Sequence, residues 1–103
     1  MNAHEAMIKY PTRVAVWIAV AKDEKSIPDL DRHKYLIERG MTMAQVSYII
    51  RKRMVLDKSM ALFVLLNDGV LPPSSASVGE MYDAHHNIDG YLYVTYRCER
   101  TFG

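Results

Sequence analysis

The sequence predicts a single α+β domain in which one amphipathic helix lies across a mixed four-stranded sheet. Three observations support this fold class. Four apolar, β-rich runs are spread along the 103 residues, capping-box sequences mark helix starts between them, and the first run is apolar on both faces, as expected for a strand inside a sheet. A chain of this length can bury one core but not a second of ordinary size.

The strands are predicted from these apolar runs. In the first, Arg13 to Ala21, the side chains alternate between two faces, with Val14, Val16, Ile18 and Val20 on one and Ala15, Trp17, Ala19 and Ala21 on the other. A short second strand covers Lys34 to Ile37. The third, Met60 to Leu66, is predicted to be buried and to end at the turn Asn67-Asp68-Gly69. The last covers Tyr91 to Tyr96 and leads into a polar tail.

Two helices are predicted from capping-box spacing, Thr42-x-x-Gln45 and Ser77-x-x-Glu80. The first carries an apolar stripe and ends in cations that complement the helix dipole; the stripe is Met43, Val46, Ile49 and Ile50, and the cations are Arg51, Lys52 and Arg53. The second is short and ends near His85 or His86. The order strand, strand, helix, strand, short helix, strand is that of the ubiquitin-like β-grasp.

Composition narrows the class of function. Half of the residues are apolar, a quarter are charged and the formal net charge is +1, which is typical of a soluble globular domain and argues against a nucleic-acid binder driven by bulk electrostatics. The single cysteine, Cys98, excludes an intramolecular disulfide and fits a reducing compartment. No stretch near 18 continuous apolar residues occurs, so we expect a cytosolic protein.

Other candidate motifs favour ordinary structural roles. Three cations at a helix end are usually a solvated terminus. His85-His86 has no Cys or second His at structural-zinc spacing, with His4 and His33 remote in sequence, so no metal or other cofactor is expected. Cys98 is expected to be an ordinary thiol rather than a nucleophile.

The carboxyl terminus, Thr101-Phe102-Gly103, carries a chemical signal. A glycine has no side chain, so its carboxylate can enter a narrow catalytic cleft and become an acyl adenylate, a thioester and then an amide. This is the chemistry of ubiquitin-like modifiers.

Several segments in register resemble one family. They are Tyr10-Pro11-x-Arg13-Val14, Ile27-Pro28-Asp29-Leu30-Asp31, Lys34-Tyr35-Leu36, Ile50-Arg51-Lys52-Arg53, Leu71-Pro72-Pro73 and Asp89-Gly90-Tyr91-Leu92-Tyr93-Val94-Thr95-Tyr96. They resemble the autophagy ubiquitin-like modifiers of the GABARAP and microtubule-associated light chain three type, from about Tyr10 to Gly103.

The resemblance implies a covalent function. Gly103 would be activated by an ATP-dependent activating enzyme, passed as a thioester to a conjugating enzyme, and amide-linked to phosphatidylethanolamine, which anchors the protein to the autophagosome membrane. The protein would be a substrate of these enzymes and not itself an enzyme. A cysteine protease usually exposes the family's glycine; here the native chain either ends at Gly103 or is trimmed to it.

The resemblance also implies docking of aromatic-x-x-aliphatic motifs in cargo receptors and autophagy machinery, with the peptide added as a strand beside the second strand. The implied aromatic pocket is lined by Ala15, Trp17, Lys34, Leu36 and Tyr91. The implied aliphatic pocket is lined by Tyr35, Ile37, Met41, Val46 and Ile49. Acidic flanks of the motif would meet Arg13, Arg32, Lys34 and Arg53.

The chain departs from the family pattern in several places. Only the dozen residues before Arg13 precede the first strand, so a short helical remnant around His4 to Tyr10 replaces two helices. The expected division is a 1–12 extension, a 13–98 β-grasp domain and a 99–103 conjugation tail. Ala15 and Trp17 replace a proline and a small aliphatic residue, a residue is inserted near 22–26, and Glu38 replaces a proline. Trp17 could fill surface left bare by the short amino terminus or narrow the aromatic pocket.

Two other functions remain open. One is a ubiquitin-like modifier attached to a protein lysine. The other is an unconjugated β-grasp adaptor that binds peptides or cytoskeleton. The Thr101-Phe102-Gly103 ending and the Leu71-Pro72-Pro73 segment resemble those of the lipid-conjugated branch.

Overall fold

Three helices and four strands lie within residues 1–67 and 69–100, the part of the chain that the structure, a computed structural model, describes. In chain order they are α1 (Ala3–Lys9), β1 (Arg13–Val20), β2 (Lys34–Glu38), α2 (Met43–Met54), β3 (Met60–Leu66), α3 (Val78–His85) and β4 (Leu92–Arg100). None of the described helices is long and apolar enough to cross a membrane.

The strands form one mixed sheet in the order β2-β1-β4-β3. β1 is antiparallel to β2 and parallel to β4, while β3 is antiparallel to β4. β1 is therefore internal, as its two apolar faces predict, and the predicted α+β fold with a mixed four-stranded sheet is confirmed. β2 and β3 are the two edges.

The core lies between the sheet and α2, and the predicted stripe supplies much of it. Met43, Val46 and Ile50 are buried against Val14, Val16 and Ile18 of β1 and Leu92, Val94 and Tyr96 of β4. Tyr96 donates its hydroxyl hydrogen to the Pro28 carbonyl at 2.8 Å, and burial raises its pKa to about 12. The core is thus tied to the loop that precedes β2.

Both predicted helix starts are confirmed. The Thr42 hydroxyl accepts from the Gln45 N–H at 3.2 Å and Gln45 accepts from the Thr42 N–H at 2.8 Å; Ser77 and Glu80 make the same reciprocal pair. Each pair satisfies two backbone donors that helix geometry leaves without partners.

The amino-terminal helix α1 also begins with a capping box, between Asn2 and Glu5. It buries Ala3 and Ala6 beside β1, and Ala3 lies against the backbone of Gly90. A Cβ added at Gly90, whose φ is +89°, would stand 3.2 Å from the Cβ of Ala3. The glycine therefore permits both the turn before β4 and the close approach of α1.

Three sequence predictions differ from the structure. β4 continues four residues beyond Tyr96, and Arg100 still pairs with Met60, because Tyr96 and Cys98 extend the inward-facing alternation. β3 is an edge strand rather than a fully buried one, with only Val64 and Leu66 buried. Arg51 is not a simply solvated cation, since it donates to the Met60 carbonyl at 2.8 Å and the Asp57 carbonyl at 3.1 Å.

Candidate peptide-docking edge

The outer edge of β2 has no strand partner among the described residues. The hydrogen bonds to β1 fix which backbone groups point outward, because Ile18 N–H donates to the His33 carbonyl at 2.9 Å and Arg39 N–H to the Thr12 carbonyl at 3.0 Å. Hydrogen-bonded pairs alternate along antiparallel strands, so Tyr35 and Ile37 bond inward to β1. The outward groups are the N–H and C=O of Lys34 and Leu36 and the N–H of Glu38, because the Glu38 C=O already accepts from the Met41 N–H at 3.1 Å.

An apolar cavity of about 360 Å³ lies between β2 and α2. Tyr35 and Ile37 reach it because alternate side chains of β2 turn towards the helix, where Val46 and Ile49 face them. All five residues of the predicted aliphatic pocket line it: Tyr35, Ile37, Met41, Val46 and Ile49. The sequence did not indicate that Arg13, Ile18, Leu30, Leu36, Glu38, Ile50 and Arg53 also border the cavity.

A second cavity, of about 410 Å³, lies between α1 and the opposite face of β2. Of the predicted aromatic pocket, the structure brings Ala15, Lys34, Leu36 and Tyr91 together here. Met1, Ala6, Arg13, Arg32 and Tyr35 complete the lining. The amino-terminal extension therefore forms one wall, which the sequence pattern alone did not predict.

Trp17 is the exception, since it does not line this cavity. Its indole stacks on His33 at 5.2 Å between ring centroids and on Tyr93 at 6.1 Å, and it meets Tyr91 edge to face at 6.1 Å. Of the residues predicted for the aromatic pocket, Trp17 is thus the one that does not line the cavity, although it contacts Tyr91, which does. Strand alternation predicts the face on which a side chain lies. It does not predict which side chains of the neighbouring strands lie on that face beside it.

The predicted cations are not equivalent. Arg32 and Lys34 are exposed, and neither side chain forms an ion pair with another described residue. Arg13 borders both cavities, but its Nε donates to Glu38 at 3.2 Å and its guanidinium lies 5.3 Å from the Tyr10 ring. Arg53 borders the aliphatic cavity at the end of α2. Arg32, Lys34 and Arg53 are thus more available to an acidic ligand than Arg13.

The start of β2 is braced by Asp29. Its carboxylate accepts from the Val20 N–H at 3.0 Å and the Leu30 N–H at 2.8 Å, and lies 2.8 Å from His33 Nε2. Burial raises the pKa of Asp29, but these hydrogen bonds outweigh it and hold the pKa below its usual value. Asp29 therefore stays ionised at neutral pH and fixes the strand's entry.

Gly103, the predicted attachment residue, lies outside the described residues, as do Thr101 and Phe102. The end of β4 leading to them is held by Glu24, which accepts from the Cys98 N–H at 2.7 Å. Hydrogen bonds from Ser26 and Cys98 lower the pKa of Glu24 to about 2. No cluster of His, Cys, Asp or Glu within residues 1–67 and 69–100 could hold a metal ion.

Comparisons with known proteins agree on one family. The family model described as autophagy protein Atg8, ubiquitin-like, matches residues 1–103. The chain is 42% identical over 96 residues to autophagy-related protein 8d of Arabidopsis thaliana, covering 92% of this chain and 78% of that one. It is 40% identical over 95 residues to autophagy-related protein 8 of Saccharomyces cerevisiae, covering 92% and 80%.

A solved structure agrees with these sequence matches. The crystal structure of Trypanosoma brucei ATG8 matches with a TM-score of 0.85 and 34% identity, over 98% of this chain and 85% of that one. The overall fold is therefore shared with a solved Atg8 structure. The chain belongs to the Atg8 family of ubiquitin-like autophagy proteins.

Proposed function

We propose that the protein is a lipid-conjugated modifier, joined through the carboxylate of Gly103 to the amine of phosphatidylethanolamine. Family membership and the terminal Phe102-Gly103 support this. An activating enzyme would form the acyl adenylate with ATP, a conjugating enzyme would carry the thioester, and the lipid amine would displace the thiolate. A trimming cysteine protease acts first if the native chain continues past Gly103.

Conjugation would switch the protein from the cytoplasm to the autophagosome membrane. Each buried methylene contributes about 0.8 kcal/mol, so the two acyl chains of the lipid hold a protein far more firmly than a single myristoyl group does. The described helices supply no membrane span, so the attached lipid would be the anchor.

Reconstitution tests the covalent step. The protein is incubated with activating enzyme, conjugating enzyme, ATP and phosphatidylethanolamine vesicles, and intact mass is read. We expect an added mass of one lipid less one water, and none after deletion of Gly103. Cys98→Ser is the matched control, because it removes the single thiol and should leave the adduct unchanged. An adduct that survives the deletion would overturn the mechanism.

We also propose that the β2 edge docks aromatic-x-x-aliphatic peptides of cargo receptors and autophagy machinery. One observation supports this: an open strand edge is flanked by two cavities, one beside Lys34 and Leu36 and one beside Ile37 and Met41. The aromatic side chain would enter the first and the aliphatic one the second. The peptide would then run parallel to β2, bonded to the outward groups of Lys34 and Leu36 and to the N–H of Glu38.

Calorimetry tests the docking proposal. We expect a dissociation constant near the micromolar range, about −8 kcal/mol, for a peptide with an acidic segment before the aromatic residue. Lys34→Glu should weaken this peptide most and a neutral-flanked peptide least, and added salt should reduce the difference because the charges are exposed. Equal affinities for wild type and Lys34→Glu would contradict the site.

The two assays also separate the other functions. Transfer of Gly103 to a protein lysine, with no lipid adduct, would identify a protein modifier. Peptide binding without any Gly103-dependent adduct would identify an unconjugated adaptor.

A further inference from the structure

The docking edge carries opposite charges at its two ends. The upstream end, where β2 begins, presents the exposed cations Arg32 and Lys34. Arg53 borders both the aliphatic cavity and a cleft with Asp29 and Asp31 of the loop that leads into β2, so it is not confined to one end of the edge. The downstream end presents Glu38, whose side chain is 54% exposed and lies, by strand alternation, on the same face as Lys34 and Leu36.

The Glu38 carboxylate is held in a defined position. Thr12 donates its hydroxyl hydrogen to Oε2 at 3.0 Å, and Arg13 Nε donates to the same oxygen at 3.2 Å. Arg13 is the cation that borders both cavities, so Glu38 engages a charge that would otherwise face an acidic ligand. The neighbouring Arg39 is itself paired with Asp83 and does not offset Glu38.

The backbone N–H of Glu38 points towards the ligand side of the edge, by the alternation that places Lys34 and Leu36 there. A peptide that runs parallel to β2 passes the aliphatic cavity and then reaches Glu38. Its next side chain would therefore meet a carboxylate, whereas the side chains before its aromatic residue meet Arg32 and Lys34.

We propose that Glu38 determines specificity at this edge: it favours a basic peptide residue after the aliphatic position and disfavours an acidic one there. The inference rests on the proposed docking function. A lysine would gain a new ion pair with Glu38. A glutamate would be repelled and would find Arg13 already engaged.

Three proteins and two peptides test the proposal. The peptides share an acidic upstream segment and an aromatic-x-x-aliphatic core and differ only in Lys or Glu after the aliphatic residue. Because exposed ion pairs are weak, we expect wild type to bind the Lys peptide about three- to fivefold more tightly at low salt, with less preference at high salt. Glu38→Gln should bind the two peptides with affinities within about 1.5-fold of each other. Most of the change should be tighter binding of the Glu peptide, because Arg13 is no longer paired with a carboxylate.

Glu99→Gln is the matched control, because Glu99 is an exposed carboxylate on β4, paired with Ala61 of β3 at the opposite edge of the sheet. It should retain the wild-type ratio. Glutamine at position 38 can still accept from Thr12, and equal melting temperatures would show that folding is intact. If Glu38→Gln leaves the ratio of Lys-peptide to Glu-peptide affinity unchanged, or if wild type prefers the Glu peptide, the inference about Glu38 is overturned and the docking proposal still stands. Failure of every peptide to bind wild type would overturn the docking function and this inference with it.

Discussion

The two edge strands of the sheet, β2 and β3, differ in how far the chain's own loops satisfy their outward backbone groups. At the β3 edge, Leu66 N–H donates to the Val70 carbonyl at 2.9 Å, Met60 N–H donates to the Asp57 carbonyl at 3.0 Å, and Arg51 donates to the Met60 carbonyl at 2.8 Å. The chain's own loops thus occupy both ends of this edge. At the β2 edge, the chain's own loop reaches the Glu38 carbonyl through the Met41 N–H at 3.1 Å, whereas Lys34 and Leu36 border two cavities with their outward groups.

The difference shows how one small sheet can keep one edge available and restrict the other. β3 is a seven-residue run of apolar side chains, a hazard for pairing between chains, and by alternation only Leu62 and Val64 keep outward groups free of the described loop contacts. β2 has charges at both ends instead, Lys34 and Glu38, which oppose indiscriminate pairing while allowing a complementary peptide.

The largest effect is expected from a charge placed in the open edge's aliphatic cavity. Ile49 is 43% exposed and lines that cavity, so Ile49→Asp should cost little folding stability but weaken motif peptides about thirtyfold, about 2 kcal/mol. Tyr48→Asp is the control, because Tyr48 is 62% exposed on the same helix and lies outside the cavity lining. Equal losses in the two variants, measured by calorimetry, would contradict a cavity-based site.

Trp17→Ile tests whether the indole supports the residues that line the cavity or contacts the peptide directly. Because Trp17 packs on His33, Tyr91 and Tyr93 rather than lining the cavity, we expect a loss of about 1 to 2 kcal/mol in unfolding free energy and an unchanged ranking of Trp, Phe and Tyr peptides. Denaturant melts and peptide titrations on the same variant measure both. A changed ranking at unchanged stability would instead place the indole in the ligand's path.

Removing the Arg51 contacts should loosen the closed edge. Arg51→Ala loses two hydrogen bonds from a charged group to backbone carbonyls, and we expect a loss of about 1 to 2 kcal/mol in unfolding free energy. Lys52→Ala removes the same charge from the next, exposed residue and should cost much less. Thermal melts and light scattering compare them; similar losses would mean that net charge, not the Met60 and Asp57 contacts, accounts for the effect.

Local signals in the sequence predicted much of the fold. The capping boxes at Thr42 and Ser77 mark the starts of α2 and α3 to the residue, and the same spacing at Asn2 and Glu5 marks the start of α1. The apolar run of β3 could not reveal its edge position, because core and edge strands differ in their lateral neighbours rather than in their own pattern.

The sequence predicted those residues of the candidate site whose positions follow from strand and helix periodicity. Tyr35, Ile37, Val46 and Ile49 meet because periodicity sets their faces. The parts that depend on partners distant in sequence were not predicted: Arg13 engaged by Glu38, Met1 in a cavity wall, and Trp17 in contact with Tyr91. Glu38 lies two residues after Leu36, so strand alternation places both side chains on the same face. That Glu38 pairs with Arg13 follows only from the register between β1 and β2, which the sequence does not give.

The smallest expected effect concerns Val55, which ends α2 next to the loop that contains Asp57 and leads into β3. It adopts left-handed backbone angles, φ 51° and ψ 55°, although it is β-branched, and its side chain is 86% exposed. Val55→Gly therefore relieves strain and gives up almost no burial, while glycine adds freedom to the unfolded chain. We expect a net gain of about 0.5 to 1 kcal/mol in unfolding free energy, with unchanged peptide affinity. Val55→Ala keeps a Cβ in the strained conformation and should gain less, so an alanine variant as stable as the glycine variant would show that the left-handed backbone is not the source of the gain.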